Sequence, residues 1–546
     1  MALRIYNTLT RRKEEFVPLV AGRVAMYVCG PNLYGPSHVG HAMSFLVFDV
    51  IHRYLEYRGY RVTHVQNFTD VEDRIIETAR QEGTTIQALA VRYIDRFLRE
   101  MDGLGIRRAD HYPRATETIP KMIEIIQGLE QRGLAYAVDG DVFFRVAAFP
   151  NYGRLSGRSL DEMQAGARIE VDPRKEHPMD FVLWKAAKPD EPAWDSPWGA
   201  GRPGWHIECS AMSISLLGPQ LDIHGGGQDV VFPHHENEIA QSEGYTGTHP
   251  FVRYWVHNGL LRLTADEEKM TRHLGNIVSI REALQRFHPD TIRVFVLSSH
   301  YRSPTLWSGE ALEAATRGAE RLRTALENAD DLLAAPPSSG GAPRDGSSAE
   351  SDRVFAELGA ALGAGPDAIR GRFEAAMDDD FNSPGGLAAL FDLASAINRA
   401  VDAAVKRRVA LGPDRRAALG GGVALLRELG VVLGLRLVAT ATPVQAAALY
   451  RFAQELAQER PDLFDPARLG AVPAPAPVRD DGADSGGAPG LAADAVFQPL
   501  VELVAEGRMR ARQAKDWATG DRVRARLAEL GVLLEDTPGG FKWRVR

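Results

Sequence analysis

Cysteine is almost absent: Cys29 and Cys209 are the two thiols in a chain of 546 residues. So sparse a pair excludes a disulfide framework and makes a reducing compartment, the cytoplasm, the expected home. The two lie far apart, so the CxxC pairs of structural zinc motifs are missing as well. Long apolar runs are missing too. Nothing reaches the roughly 18–20 residues that cross a bilayer, and Met1-Ala2-Leu3-Arg4 opens no signal-peptide pattern, so no membrane partner is expected. Charge of neither sign dominates. A net charge of -8 excludes a protein coated in basic surface but leaves room for a local basic patch. What remains, 45% hydrophobic and 25% charged, is an ordinary globular composition, and the length calls for roughly two to four domains.

The richest stretch runs from Ile223 through His224-Gly225-Gly226-Gly227-Gln228-Asp229 to His234-His235-Glu236-Asn237-Glu238. Three glycines remove every Cβ, so a ligand can come close to the backbone. Asp229 follows at once, placed to accept hydrogen bonds from sugar hydroxyls or an ammonium group. His234 and Glu238 are four residues apart and share a helix face, two ligands of a possible zinc site. The thiolates that such a site lacks exist only as Cys29, closing the apolar run Val24–Val28, and Cys209, in Gly204-Trp205-His206-Ile207-Glu208-Cys209. A Cys₂HisGlu set suits zinc. The competing reading is two buried free thiols, and composition does not separate the two.

Taken in order, Met1–Phe16 reads as an extended lead-in and Val24–Cys29 as a buried parallel strand. Gly30–Ser37 is a turn. His38-Val39-Gly40-His41 opens an amphipathic helix to Tyr57, and Arg61–Phe68 is the next strand. Strand, glycine-bearing turn, helix, strand is a βαβ unit with a ligand site at the helix N-terminus. Thr118–Arg132 is helical with Thr118 as N-cap, Val138–Val146 a strand, and Asn151–Pro203 a loop-rich insertion. Tyr254–Leu263 is a strand that leads into a loop with two cations, Lys269 and Arg272. Asp290–Ser299 and Glu310–Leu333 are helical. Met377–Pro384 imitates a metal motif, but Ser383 as N-cap before Pro384 explains it.

These segments give an α/β chain with four parts. Residues 1–310 form a Rossmann-type domain with an insertion at about 110–203. Residues 311–470 form a helical bundle with a Pro/Gly/Ser linker at 336–350. A linker at 471–490 follows, then a small module at 491–546. From Gly507 onward that module holds ten Arg/Lys against five Asp/Glu, which suggests an arm that contacts RNA.

Together the motifs resemble the cysteinyl-tRNA synthetases, a class I aminoacyl-tRNA synthetase family, over nearly the whole chain. The resemblance is carried by Met26-Tyr27-Val28-Cys29-Gly30, by the HIGH-type His38-Val39-Gly40-His41, by Gly201-Arg202-Pro203-Gly204-Trp205-His206-Ile207-Glu208-Cys209, by the His224–Glu238 block and by the terminal Asp516-Trp517 segment. It implies a class I catalytic domain with an insertion, a helical bundle and a C-terminal anticodon module. It implies ligation of L-cysteine to tRNA(Cys) through a cysteinyl-adenylate, with ATP, and with Mg²⁺ accompanying it. One zinc per chain would be held by Cys29, Cys209, His234 and Glu238 and would select the substrate thiol. Cys29, Thr69, Trp205 and His224 would contact cysteine. His38, Gly40, His41, Gly226, Gly227, Asp229, Lys269 and Arg272 would bind ATP, with His38, His41, Lys269 and Arg272 catalytic. The expected assembly is a monomer.

The sequence departs from the family pattern in two places. Arg272 replaces the usual second Lys of the KMSKS loop, with Thr271 and His273 where Ser is usual. Asn32, Gly35 and Met43 stand where Thr, Asp and Arg are common. Two other readings remain open: a cysteine-activating ligase with an amino-sugar acceptor, and a degenerate synthetase-like RNA-binding protein.

Overall fold

The computed structural model describes residues 2–160, 162, 172–262, 278–335, 347–406, 411–438, 441–474, 489–537 and 540–545. The lead-in is more than extended chain. It folds as an antiparallel hairpin of β1 (Arg4–Asn7) and β2 (Arg12–Glu15), turned at Arg11 in the left-handed region. The apolar run forms β3 (Arg23–Val28), and the next strand is β4 (Arg61–Gln66). Between them the helix Val39–Tyr57 buries Ala42, Met43, Phe45, Leu46, Phe48, Val50, Ile51, Tyr54 and Leu55. Their three-to-four-residue recurrence is the expected amphipathic pattern.

Val138–Val146, read as one strand, is instead the end of a hairpin, β5 (Ala135–Val138) and β6 (Asp141–Phe144). Asp139 and Gly140 both have positive φ, 52° and 86°, the requirement of a two-residue Asp-Gly turn. With β7 (Phe181–Ala186) and β8 (Gly201–Pro203) they make a four-stranded antiparallel sheet, so the insertion has its own ordered framework. Thr118 precedes the helix Ile119–Gln131, but its hydroxyl donates to the Arg114 carbonyl and does not cap.

From the insertion the chain returns through the helix Trp205–Leu217 to β9 (Leu221–Gly227), then through the helix Glu236–Thr246 to β10 (Val252–Asn258). The central sheet has the order β10-β9-β3-β4, parallel throughout. Cys29 follows the carboxyl end of β3, and His234 and Glu238 follow that of β9, where parallel sheets place their sites.

Downstream, the helices Gly309–Ala334, Ile369–Asp378, Ser383–Lys406 and Pro413–Val432 share the main apolar core. The acidic Asp378-Asp379-Asp380 run ties this bundle to the nucleotide fold. Asp378 accepts from Tyr54 (2.7 Å) and Arg58 (2.8 Å), and Asp380 from Tyr301, Arg302 and the Tyr6 amide, each at 2.8 Å. Asn382, rather than Ser383, caps the following helix, accepting from the Gly385 amide; the Ser383 hydroxyl bonds the Leu297 carbonyl. A second apolar core joins the helix Pro443–Glu459, read with the bundle, to the C-terminal helices Pro489–Gln513 and Trp517–Glu529. None of the described helices is long and apolar enough to cross a membrane.

Candidate active site

Strand register decides which side chains meet. Tyr27 on β3, His224 on β9 and Trp255 on β10 are lateral partners, so their rings share one face: His224 stacks on Trp255 at 4.5 Å and lies 5.0 Å from Tyr27. Cys29 follows β3, its amide bonded to the Gly225 carbonyl at 3.0 Å. Its neighbour Gly30 is irreplaceable on steric grounds, since a Cβ there would lie 1.6 Å from the Asn67 carbonyl oxygen. Cys209 enters from the Trp205–Leu217 helix, and His234 and Glu238 from the turn and helix after β9. The two remote cysteines thus meet, sulfur to sulfur, at 3.8 Å.

Two overlapping donor sets have all their ligand atoms within 4.8 Å of one another: Cys29, Cys209, His234 and Glu238, and Cys29, His224, His235 and Glu238. Geometry separates them. With Zn–S of about 2.3 Å and Zn–N or Zn–O of about 2.0–2.1 Å, tetrahedral angles put S···S near 3.8 Å and N···O near 3.3 Å. Cys29–Cys209 is 3.8 Å and His234 Nε2–Glu238 Oε1 is 3.1 Å. In the second set His235 Nε2 lies 3.1 Å from Cys29 Sγ and 3.8 Å from Glu238, closer to a hydrogen bond to sulfur than to a coordination edge. Softer donors favour the same choice. Glu238 Oε2, whose carboxyl belongs to both sets, is buried without a hydrogen-bond partner among the described residues, which suits a metal ligand. The first set fits a metal and is consistent with zinc.

A second layer fixes the donors. His234 Nδ1 is 2.9 Å from His206 Nδ1, which turns Nε2 toward Glu238, and Trp205 stacks on the His234 ring at 4.3 Å. His235 Nδ1 meets His257 Nε2 at 2.7 Å, and His257 Nδ1 meets the Thr8 hydroxyl at 2.8 Å. Desolvation by burial lowers His257 to about 3, so this chain is neutral. Desolvation likewise pushes the Cys29 thiol and the Glu238 carboxyl well above their usual ranges. Cys209 is held at about 7: against the upward push of burial, hydrogen bonding to Cys29 and the charge of His234 favour its thiolate. His206, His235 and His257 escaped the sequence reading. His235 alone carried a signal, as the neighbour of His234; the other two required the tertiary fold.

Thr69 is buried and donates to Glu208 Oε2 at 2.8 Å, and the 31–33 segment pairs with it through Leu33 N to Thr69 O (3.1 Å). Beside it, Asn32, one of the departures from the family pattern, donates to Glu72, and Met43 is buried in the core. Among the described residues, no contact explains Gly35.

His38 is the N-cap of its helix. Its Nδ1 accepts from the Gly40 amide (3.1 Å), His41 Nδ1 accepts from the His38 amide (3.3 Å), and the two rings stack at 3.9 Å. The helix N-terminus adds its positive dipole end, an anion site. The segment Val278–Ile280 is bonded to this turn through Val39 N to Val278 O (3.0 Å) and Ile280 N to Ser37 O (3.2 Å). Lys269 and Arg272 lie outside the described residues. The glycines of β9 serve packing as well as access: a Cβ on Gly225 would strike Phe48 at 2.1 Å, and one on Gly226 would meet Val230 at 2.8 Å. Asp229 is exposed just beyond them.

The family model "tRNA synthetases class I (C) catalytic domain" matches residues 15–317, and a DALR domain model matches 372–438. A cysteine–tRNA ligase from Pelotomaculum thermopropionicum is 48% identical over 99% of each chain, and one from Dehalococcoides mccartyi is 45% identical over all of both. Among solved structures, the methionyl-tRNA synthetase of Mycobacterium tuberculosis is similar in fold, with a TM-score of 0.54 at 16% identity over 75% of this chain and 90% of that one. On family model, identity and coverage alike, the chain belongs to the cysteine–tRNA ligase family of class I synthetases.

Proposed function

We propose that the chain ligates L-cysteine to tRNA(Cys), with its residues divided between two steps. In the first, a carboxylate oxygen of cysteine attacks the α-phosphorus of ATP, and the bond to pyrophosphate breaks. In the second, a ribose hydroxyl of the terminal adenosine attacks the acyl carbon, and AMP leaves. The observation that carries this reading is the meeting of Cys29 and Cys209 with His234 and Glu238 in one buried cluster. These four residues would hold zinc, one per chain. Bound there, it supplies a thiophilic Lewis acid that separates a thiol from the near-isosteric hydroxyl of serine, which a hydrophobic pocket discriminates poorly.

The protein's own residues do the rest. Trp205 and His224 wall a pocket that suits a small side chain, and Thr69, its proton given to Glu208, offers an oxygen to the substrate ammonium. His38 and His41, at a helix N-terminus, stabilise the triphosphate of Mg²⁺-ATP, and Lys269 with Arg272 neutralises the charge that grows on departing pyrophosphate. Gly40 keeps the His38 turn tight. Gly226, Gly227 and Asp229 hold the ribose. The DALR match and the C-terminal module favour an RNA acceptor over an amino sugar. A cytoplasmic monomer accompanies this reading, and light scattering on the purified chain checks the monomer.

The test is amino-acid-dependent ATP–pyrophosphate exchange with cysteine and with serine, followed by charging of tRNA. Exchange with cysteine alone, and transfer to tRNA(Cys), is the expected result. Exchange without transfer to any tRNA sinks the acceptor assignment, and no exchange sinks the whole reading.

A further inference from the structure

The helix Glu236–Thr246 carries Glu238 of the metal set, and its residues 236–244 are all buried although most of them are polar. Glu236, Asn237, Gln241, Ser242 and Glu243 lie out of solvent beside Glu238. Burying so many polar groups is costly unless they are bonded. Their bonds fall into two sets on two faces. On the face of Glu238, Gln241 Nε2 donates to the His206 carbonyl (2.7 Å) and the Ser210 hydroxyl (2.9 Å), and the Ser242 hydroxyl donates to that of Ser210 (3.0 Å). His206 and Ser210 flank Cys209 in sequence, so this face sets one ligand-bearing helix against the other.

The second set faces the insertion. Glu236 stands two residues before Glu238, about 200° around the helix. Its carboxylate accepts from the Gly153 amide (3.0 Å) and the Ser156 amide (2.8 Å), and Asn237 accepts from the Tyr152 hydroxyl. Two turns on, Glu243 accepts from Arg154 and from the Phe251 amide (2.9 Å). The 152–156 turn is thus seated on the back of the helix whose front holds Glu238. Apolar packing would let a helix slide or rotate; directional hydrogen bonds fix both motions together. Metal donors need that precision, and outer partners usually supply it. We propose that Glu236 is a positioning residue for the metal cluster, which holds Glu238 and His234 in place against Cys29 and Cys209 by anchoring their segment to the insertion. The inference rests on the metal reading above and adds to it a residue and a segment outside the donor set.

The test compares the full-length protein with Glu236→Gln, Tyr152→Phe and Tyr136→Phe. The Gln side chain keeps the volume but offers one acceptor to two amides, so zinc affinity, read by competition with a chelator, should fall about 10- to 100-fold. Tyr152→Phe reaches the same helix from the insertion and should lower the affinity about three- to tenfold, the worth of one buried hydrogen bond. Tyr136→Phe removes a hydroxyl bonded to Asp180 (2.7 Å) in the same insertion, away from the turn, and should bind zinc as wild type does. Cobalt(II) loaded in place of zinc has a visible spectrum set by donor geometry. That spectrum should change in the first two variants and not in the third, and KM for cysteine should rise in the first two while KM for ATP holds. Wild-type affinity and an unchanged cobalt spectrum in Glu236→Gln overturn the proposal, as does an equal loss in Tyr136→Phe. If Glu236→Gln does not fold, Tyr152→Phe decides alone, and wild-type behaviour there overturns it. If wild type itself binds no zinc, the metal reading has failed, which is visible before any variant is compared.

Discussion

The two ends of the candidate site are built in opposite ways. The proposed nucleotide end is local: His38, Gly40 and His41 belong to one turn and bond one another at the start of one helix. The proposed cysteine end is assembled from β3, the Trp205–Leu217 helix and the turn and helix that follow β9, with His257 on β10 behind them. Cys209, His234 and Glu238 are buried, and histidines hold the rings from behind. A local turn can tolerate exchange of one polar group for another. An assembled, desolvated cluster should not, because removing one member strands the others without solvent.

The largest effect should therefore come from the cluster. Cys209→Ser should empty it of metal by elemental analysis and lower cysteine activation by more than the roughly 100-fold that loss of an outer partner costs. A fully active, metal-free variant would break the comparison at its root. Next comes the scaffold beneath the nucleotide end. Asp49, in the middle of the His38 helix, is buried between Arg293 (2.7 Å) and Arg53 (2.9 Å), and Asp49→Ala should cost about 3–5 kcal/mol in chemical unfolding because Arg293 is left buried and unpaired. Burial raises the Asp49 carboxyl, but Arg293 and Arg53 outweigh it and hold it below its ordinary 3.8. A depressed value stabilises the fold above the unfolded pKa and ceases to as pH falls through the folded one. The stability gap between wild type and the variant should thus stay level from neutral pH down to about 4 and close below that. A gap that instead widens on acidification would contradict the ion pair.

If Arg272 neutralises the departing pyrophosphate as proposed, Arg272→Ala should slow adenylate formation by roughly 10²-fold with a smaller change in KM for ATP, and Arg272→Lys should keep substantial activity. Single-turnover kinetics with an unchanged chemical step in the alanine variant would move the catalytic charge elsewhere. The smallest effect sharpens the contrast. His206→Ala removes only the partner behind His234, and metal affinity should fall by about 10- to 100-fold while ATP affinity holds. Competition with a chelator reads the first, and equilibrium dialysis the second.

Where the pattern is local, the sequence was readable. The strand Arg23–Val28 and the amphipathic helix after His38 follow from residue order, because propensity and period act over a few residues. The glycine triplet, which reads as a loop, instead ends strand β9, paired with β10. The misreadings had both local and tertiary origins. Asp139-Gly140 was a hairpin signal inside an apolar run, and Asn382 took the cap from Ser383 because the serine hydroxyl found a distant carbonyl. The helix Pro443–Glu459 joined the C-terminal core rather than the bundle because its apolar face, read alone, does not say what covers it.

Sequence by itself determined the chemistry that was available: two thiols, a His-x-x-x-Glu face, a glycine loop with its aspartate, a histidine turn. Those are properties of residue type and short spacing. Only the tertiary structure decided which atoms meet. Parallel register set His224 between Tyr27 and Trp255, and the packing of the Trp205–Leu217 helix brought Cys209 to 3.8 Å from Cys29 and His206 behind His234. His257 on β10 came to lie behind His235. Contacts of that kind depend on strand order and helix packing across hundreds of residues, and no short-range preference encodes them.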